Sequence, residues 1–550
     1  MRKAALCLGL VVGGQSHYGS LIASMTRMEQ GLISSEVDAF IRETMKLWDV
    51  QGLQVAVVRR RPGSSDEWDV DTRAYGVKDR SGKPMETDTL FPIASNSKAF
   101  TAAAVGLLVA NDSIALEWST KIKSVLPEFK LRDPVATKYT NVVDILGHRT
   151  GMPRHDFVMP PIKDAALNLI KYMRPSAEFR DVWQYNNHMY DMATTLLERV
   201  TGVPFFDFVR NNIFEAAELV DSGRVTEGFI KDGVTVNSTG TTYATYPFDR
   251  DELRGPGSGC ILASMDDMAL WLQIMLDDGK SPKTGNQVVP AAVLGKMSSG
   301  ITAPAPGERR PPELAPRTYG IALSRSSYQG RQYIDHGGAL MGYHSQIIRF
   351  PNDGLGIAVF ANEDMTFSQD AIRWRIAEDL LELPLRVDWN ARYTAAYKAA
   401  LQQAAEEEAG RIRSPPWPKR PSVSLEQLAN VYRHPAYGRF ALAVHGDGSL
   451  HSESEQEEMS LQFKLQHFDG NLFNLTVVLF HAPLGHEKPL AMELSRDYLA
   501  EFEVSEGGVV QGFGIWGQVW GAGMGAPPLP SPEVWPWDAE TANQKVMSGA

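Results

Sequence analysis

The order in which β-rich and helical segments follow one another constrains this chain most. Residues 34–48 (SSEVDAFIRETMKLW) carry helical periodicity behind a Ser-Ser cap. Gly52 to Val58 is a short run rich in β-branched residues, RRRPGSSDEWD reads as a loop, and Thr72 to Val77 as a second strand. Helical patterns then occupy 96–111, 188–201 and 264–278, and strands return at Ile347–Phe350 and Gly356–Ala361. Pro351-Asn-Asp-Gly354 between those two is a hairpin signal. Strands on both sides of a helical middle predict an α+β fold, with one antiparallel sheet built from both ends and packed by helices, and not a βαβ array.

At 550 residues the chain has room for two or three structural units. A compositional break marks where the first ends. Ala395 to Ile412 is an alanine-rich polar helix with a Glu-Glu-Glu run, and Ser414-Pro-Pro-Trp-Pro-Lys-Arg-Pro421 is an extended linker. Beyond Tyr432, short alternating segments (FALAVHGDGSLHSE, LQFKLQHFDGNLFNL, EFEVSEGGVVQGFGIWG) are punctuated by Asp447-Gly448, Asp469-Gly470 and Gly507-Gly508. The expected division is a first unit at 34–385, a helix and linker at 386–422, an all-β barrel or sandwich at 423–525, and a Pro-rich tail at 526–550.

Net charge is −12, which argues against a nucleic-acid or anionic-membrane partner. Two cysteines, Cys7 and Cys260, exclude a disulfide framework and a multi-cysteine zinc site. Residues 1–14 have the basic start, apolar run and small-residue end of a secretory signal, and they read equally as an apolar segment that packs on the fold. The first reading implies secretion, the second a cytoplasmic protein. No later apolar run reaches the roughly 20 residues that span a bilayer.

Three short segments carry chemistry. In Phe91-Pro-Ile-Ala-Ser95-Asn-Ser-Lys98, Ser95 and Lys98 are three apart and share a face where a helix starts. The apolar run Ala99 to Ala110 buries that helix, so Lys98 is largely desolvated and suited to take a proton from Ser95. In Gln184-Tyr185-Asn186-Asn187, a tyrosine near a lysine can act as general base and then acid, and Asn187 offers an amide donor. In Asp335-His336-Gly337-Gly338-Ala339, paired glycines on a strand admit another backbone at close range, and an N–H there with that of Ser95 makes an oxyanion site. Taken singly, each reads as well as a helix cap, a loop anchor or a strand end.

Together, in this order and spacing, they resemble the serine β-lactamase and penicillin-binding-protein superfamily, and more closely its class C branch with esterases, D-aminopeptidases and transesterases. Ser95-x-x-Lys98, Tyr185-x-Asn187 and His336-Gly337-Gly338 match its three motifs. Asp144-Ile-Leu-Gly-His-Arg-Thr-Gly-Met-Pro153 and Gly255-Pro-Gly-Ser-Gly-Cys-Ile-Leu-Ala-Ser264 are similar to two further landmarks. The resemblance covers about residues 34–385 and implies a β-lactamase/transpeptidase-like fold. It implies Ser95 as nucleophile, Lys98 and Tyr185 as proton carriers, Asn187 and His336 to Ala339 as substrate contacts, and no cofactor or metal. The β unit that follows is similar in position to the lipocalin-like domain of some relatives, most clearly at Tyr437-Gly438.

One departure matters. His336 and Gly337 stand where a β-lactamase carries a lysine and a threonine, which lowers positive charge and removes a hydroxyl. The resemblance therefore implies a small ester, amide or peptide substrate, cleaved by an esterase, amidase or peptidase through an acyl-enzyme. An acyltransferase that tailors a secondary metabolite and a non-catalytic scaffold of the same fold remain alternatives. A homo-oligomer is compatible with all three. A Gly-x-Ser-x-Gly elbow and a His-Glu-x-x-His motif are both missing, and His148, His155 and Asp156 read as loop residues instead of metal ligands.

Overall fold

The computed structural model describes residues 31–154, 165–219, 225–232, 241–245, 256–303, 311–364, 366–410, 414–435, 438–453, 459–481, 490–516 and 537–539. The helix expected at 34–48 forms as α1 (Ser35–Trp48). The Ser34 hydroxyl accepts from the Val37 N–H at 3.2 Å, and Asp49 ends the helix in the left-handed region. Its apolar period brings Val37, Ile41, Met45 and Trp48 onto one buried face.

Strands β1 (Gly52–Arg60) and β2 (Trp68–Gly76) follow, β2 beginning four residues before the sequence pattern suggested. Late in the chain come β3 (Thr318–Tyr319), β4 (Ser324–Tyr328), β5 (Arg331–Leu340), β6 (Tyr343–Phe350) and β7 (Leu355–Ala361). Among the described residues these form one antiparallel sheet in the order β2-β1-β7-β6-β5-β4-β3. The N-terminal hairpin is joined to the late strands through β1 and β7, from Leu53↔Ala361 to Arg59↔Leu355. The 351–354 linker makes the predicted hairpin, with a 3-10 turn and Gly354 at φ +59°.

Every residue of β7 is buried, because both faces of the sheet are covered. On one face lie α1, α5 (Ser368–Leu380) and α6 (Trp389–Gly410), around Trp48, Trp374 and Trp389. On the other lies the larger helical layer, with α2 (Ser97–Val109), α3 (Asn187–Thr201) and α4 (Met265–Leu276). Helix α2 is buried almost all round, and its alanines let neighbouring helices approach closely.

The C-terminal alternating segments form an antiparallel barrel in which the strand at Val431–His434 pairs with both Gly438–Val444 and Trp537–Ala539. Its interior is filled by side chains, including Tyr432, Phe463, Phe473, Phe502 and Phe513. Tyr437, the N-terminal segment 1–14 and nearly all of the Pro-rich tail lie outside the described residues. No helix among the described residues is long and apolar enough to cross a membrane.

Candidate active site

Ser95 sits on a 3-10 turn, Ala94–Asn96, that leads directly into α2. Ala94 is buried and holds φ +50°, a left-handed conformation that costs an alanine about 1–2 kcal/mol. The surroundings hold it there. The Ser345 hydroxyl on β6 donates to the Ile93 carbonyl at 2.8 Å and accepts from the Asn96 amide at 2.8 Å. Ser345 is the register partner of Gly338 on β5. A Cβ on Gly338 would collide with the Ile93 carbonyl and the Ser345 hydroxyl, so the glycine is what allows the sheet to press against the turn that carries Ser95. The Ser97 hydroxyl, one residue into α2, accepts from the Ile261 N–H at 2.9 Å.

The Lys98 side chain is fully buried and points back along the helix. Its ammonium donates to Ser95 Oγ at 3.2 Å, to Asn187 Oδ1 at 2.7 Å and to the Ser258 carbonyl at 2.7 Å. Acceptors of this kind are how a buried ammonium is tolerated. Tyr185 Oη donates to Ser95 Oγ at 2.7 Å. Lys98 and Tyr185, far apart in sequence, thus meet at the Ser95 hydroxyl, and Asn187 joins them through the Lys98 ammonium.

The adjoining asparagines divide two tasks. Asn186 caps α3 by accepting from the Met189 N–H at 3.1 Å, and its amide also donates to the Pro153 carbonyl. The capping asparagine is therefore Asn186, while Asn187, one residue on, accepts from Lys98. The Tyr185 ring lies 4.4 Å from the His148 ring, with the Lys98 ammonium at 4.7 Å and the Arg154 guanidinium at 4.9 Å from its centre. His148 Nδ1 accepts from the Asn186 N–H at 3.1 Å. Burial, with the Lys98 charge second, pushes His148 well below its usual range, so it is neutral at pH 7. His155 and Asp156 lie outside the described residues.

His336 stands on β5 across from Ile347, with its Nε2 3.3 Å from Tyr319 Oη and its Nδ1 2.7 Å from the Gly337 carbonyl. Loss of hydration, followed by the Lys98 charge, brings it down to about 4. Its neutral ring provides no cation at this position. Just behind it, burial works to raise Asp335, but Arg317 and Arg373 outweigh that and hold its carboxyl below the usual range, at 2.9 and 3.0 Å. Gly338 is buried in the packing contact described above, whereas Ala339 is exposed. Strand β4 pairs with β5 only up to Ser324↔Asp335. Among the described residues, the outer edge of β5 from His336 onward carries no strand.

Sequence reasoning missed the Ser258 carbonyl, Tyr319 and the Asn96–Ser345 lock. The Gly-Pro-Gly-Ser-Gly stretch was the available signal for the first. The other two depend on long-range contacts with no local pattern.

Comparison with known proteins agrees with this geometry. The Beta-lactamase family matches residues 37–382. The unguisins hydrolase of Aspergillus violaceofuscus is 29% identical over 523 residues, 88% of each chain. The D-aminopeptidase of Cereibacter sphaeroides is 26% identical over 311 residues, 54% of each chain. The octameric penicillin-binding protein homologue from Pyrococcus abyssi shares the fold at TM-score 0.52 and 17% identity, covering 88% of this chain and 95% of that one. Since the family match spans the sheet, the helical layer and all three motifs, the chain belongs to the beta-lactamase family of serine hydrolases.

Proposed function

We propose that this enzyme cleaves an amide or peptide bond through an acyl-enzyme on Ser95. One observation carries the reading: Ser95 Oγ is contacted at once by Tyr185 Oη at 2.7 Å and Lys98 Nζ at 3.2 Å. Two cations beside the Tyr185 ring favour its phenolate form; in that form the hydrogen bond to Ser95 runs the other way, and Tyr185 draws the proton from Ser95. The Ser95 oxygen then attacks the substrate carbonyl, whose oxygen becomes an anion. The N–H groups of Ser95 and Ala339 receive it, and Asn187 orients the substrate. Collapse breaks the carbon–nitrogen bond, and the leaving amine takes the proton from Tyr185. Water repeats the sequence and returns the proton to Ser95.

The edge of β5, which from His336 onward carries no strand among the described residues, supports an extended, peptide-like substrate, because such a chain adds to an edge by backbone hydrogen bonds. The names of the similar unguisins hydrolase and D-aminopeptidase point to hydrolysis, and the second to a peptide bond. A neutral His336 suits a substrate without a carboxylate at that subsite.

The test is hydrolysis of a panel of D- and L-amino-acid amides and p-nitrophenyl esters by wild type and Ser95→Ala, with intact-mass spectrometry during turnover. Wild type is expected to show a transient acyl adduct and Ser95→Ala neither adduct nor turnover. Undiminished turnover by folded Ser95→Ala would refute the mechanism. Product formed on an added amine or alcohol in preference to water would reassign the enzyme to acyl transfer.

A further inference from the structure

Beneath the nucleophile turn, on the face of the sheet that carries α2 and α4, lies a cavity of about 20 Å³. Its lining includes Asn96, Ala99, Trp271, Leu272, His336 and Arg349. That exceeds the roughly 10–15 Å³ that one water requires. Arg349, on β6 two residues beyond Ile347, is only 6% exposed. Among the described residues its side chain makes no hydrogen bond and no ion pair, and its Nε is buried without an acceptor. Burial alone lowers its guanidinium to about 10, with no neighbouring acid opposing that shift. Among the described residues at the cavity the one carboxylate is Asp335, and it is already held by Arg317 and Arg373.

A buried guanidinium without a counter-charge costs several kcal/mol and is seldom retained. The cavity supplies donors from Arg349, and its remaining wall is largely apolar. A water there can accept from Arg349 but brings no charge to offset the guanidinium. An anion needs donors only. We propose that this cavity is a binding site for one small monovalent anion of halide size, held by Arg349 between β6 and the start of α2. The volume excludes organic carboxylates. Bound there, the ion supplies the missing negative charge beside Asn96 and helps to hold the turn that presents Ser95.

The full-length protein, exchanged into gluconate at constant ionic strength, is titrated with sodium bromide and sodium chloride. Thermal midpoints are followed for wild type and Arg349→Met, and bromide-soaked wild-type crystals are measured at the bromine edge. Wild type is expected to gain about 3 °C with saturation, and Arg349→Met less than about 1 °C. An anomalous peak is expected at Arg349. The crystal measurement decides the matter should Arg349→Met fail to fold. A cavity that holds only water in the bromide crystal, or equal halide responses in both proteins, overturns the proposal.

Discussion

Tyr185 and Lys98 both reach Ser95 Oγ, yet their surroundings differ. Lys98 is fully buried, with Asn187 and Ser258 as further acceptors, so its role includes holding the site together. Tyr185 is braced by His148 and flanked by two cations, which suits an oxygen that alternates between neutral and negative. Tyr185→Phe keeps the ring packing and removes the hydroxyl proposed to carry the proton. A fall in kcat of at least about a hundredfold is expected, with the melting temperature nearly unchanged. Steady-state kinetics with a chromogenic ester checks this, and an unaltered rate would move the base role wholly to Lys98. The motif residues were legible because each motif is local in sequence. What a sequence could not say is that Asn187 receives the Lys98 ammonium while Asn186 caps the helix. That choice depends on the direction in which α3 starts.

At the scale of elements, the site is a contact between one turn and one strand. The turn bears a left-handed Ala94, and β5 holds it through the Gly338–Ser345 pair. Gly338→Ala forces β5 away from Ile93 and Ala94, and overpacking of this kind costs about 1–3 kcal/mol. Catalysis should suffer more than stability, because Ser95 and the outer edge of β5 move relative to one another. The expected result is a loss of kcat/KM of about a hundredfold or more for a protein that still unfolds cooperatively. Circular dichroism melts beside kinetics separate the two effects, and wild-type kcat/KM in this variant would show that the close approach is dispensable. The glycine pair was visible in the sequence. Its partner Ser345 was not, since the pairing joins residues on neighbouring strands to a turn roughly 250 positions earlier.

At the scale of the whole molecule, neutral histidines occur in both the sheet-and-helix unit and the barrel. Burial brings His336 and His434 to about 4, with the Lys98 and Arg132 charges as respective second causes. Between pH 4 and the ordinary histidine range near 6.5, the unfolded chain binds these protons and the folded chain does not. Acidification through that window therefore favours unfolding. Glu363, raised to about 9 chiefly by burial, acts in the opposite sense, because the folded chain holds its proton. A single substitution isolates one contribution. The thermal midpoint of wild type should fall more steeply between pH 7 and pH 5 than that of His434→Gln, by about 3 °C. Parallel slopes would show that His434 titrates normally in the barrel.

The sequence by itself determined the class of fold and the candidate reacting groups. Periodicity and turn chemistry act over a few residues, so α1, the 351–354 hairpin and the barrel segments could be read directly. Motif spacing selected Ser95, Lys98, Tyr185 and Asn187 before any contact was seen. Only the tertiary structure decided that β1 joins β7, that aromatic and aliphatic side chains together fill the barrel interior, and that the Ser258 carbonyl accepts from Lys98. It alone decided that Arg349 is buried and, among the described residues, makes no ion pair. The reason is the same in each case: contacts between distant segments are set by how whole elements pack, and no local pattern encodes which buried polar groups will face one another.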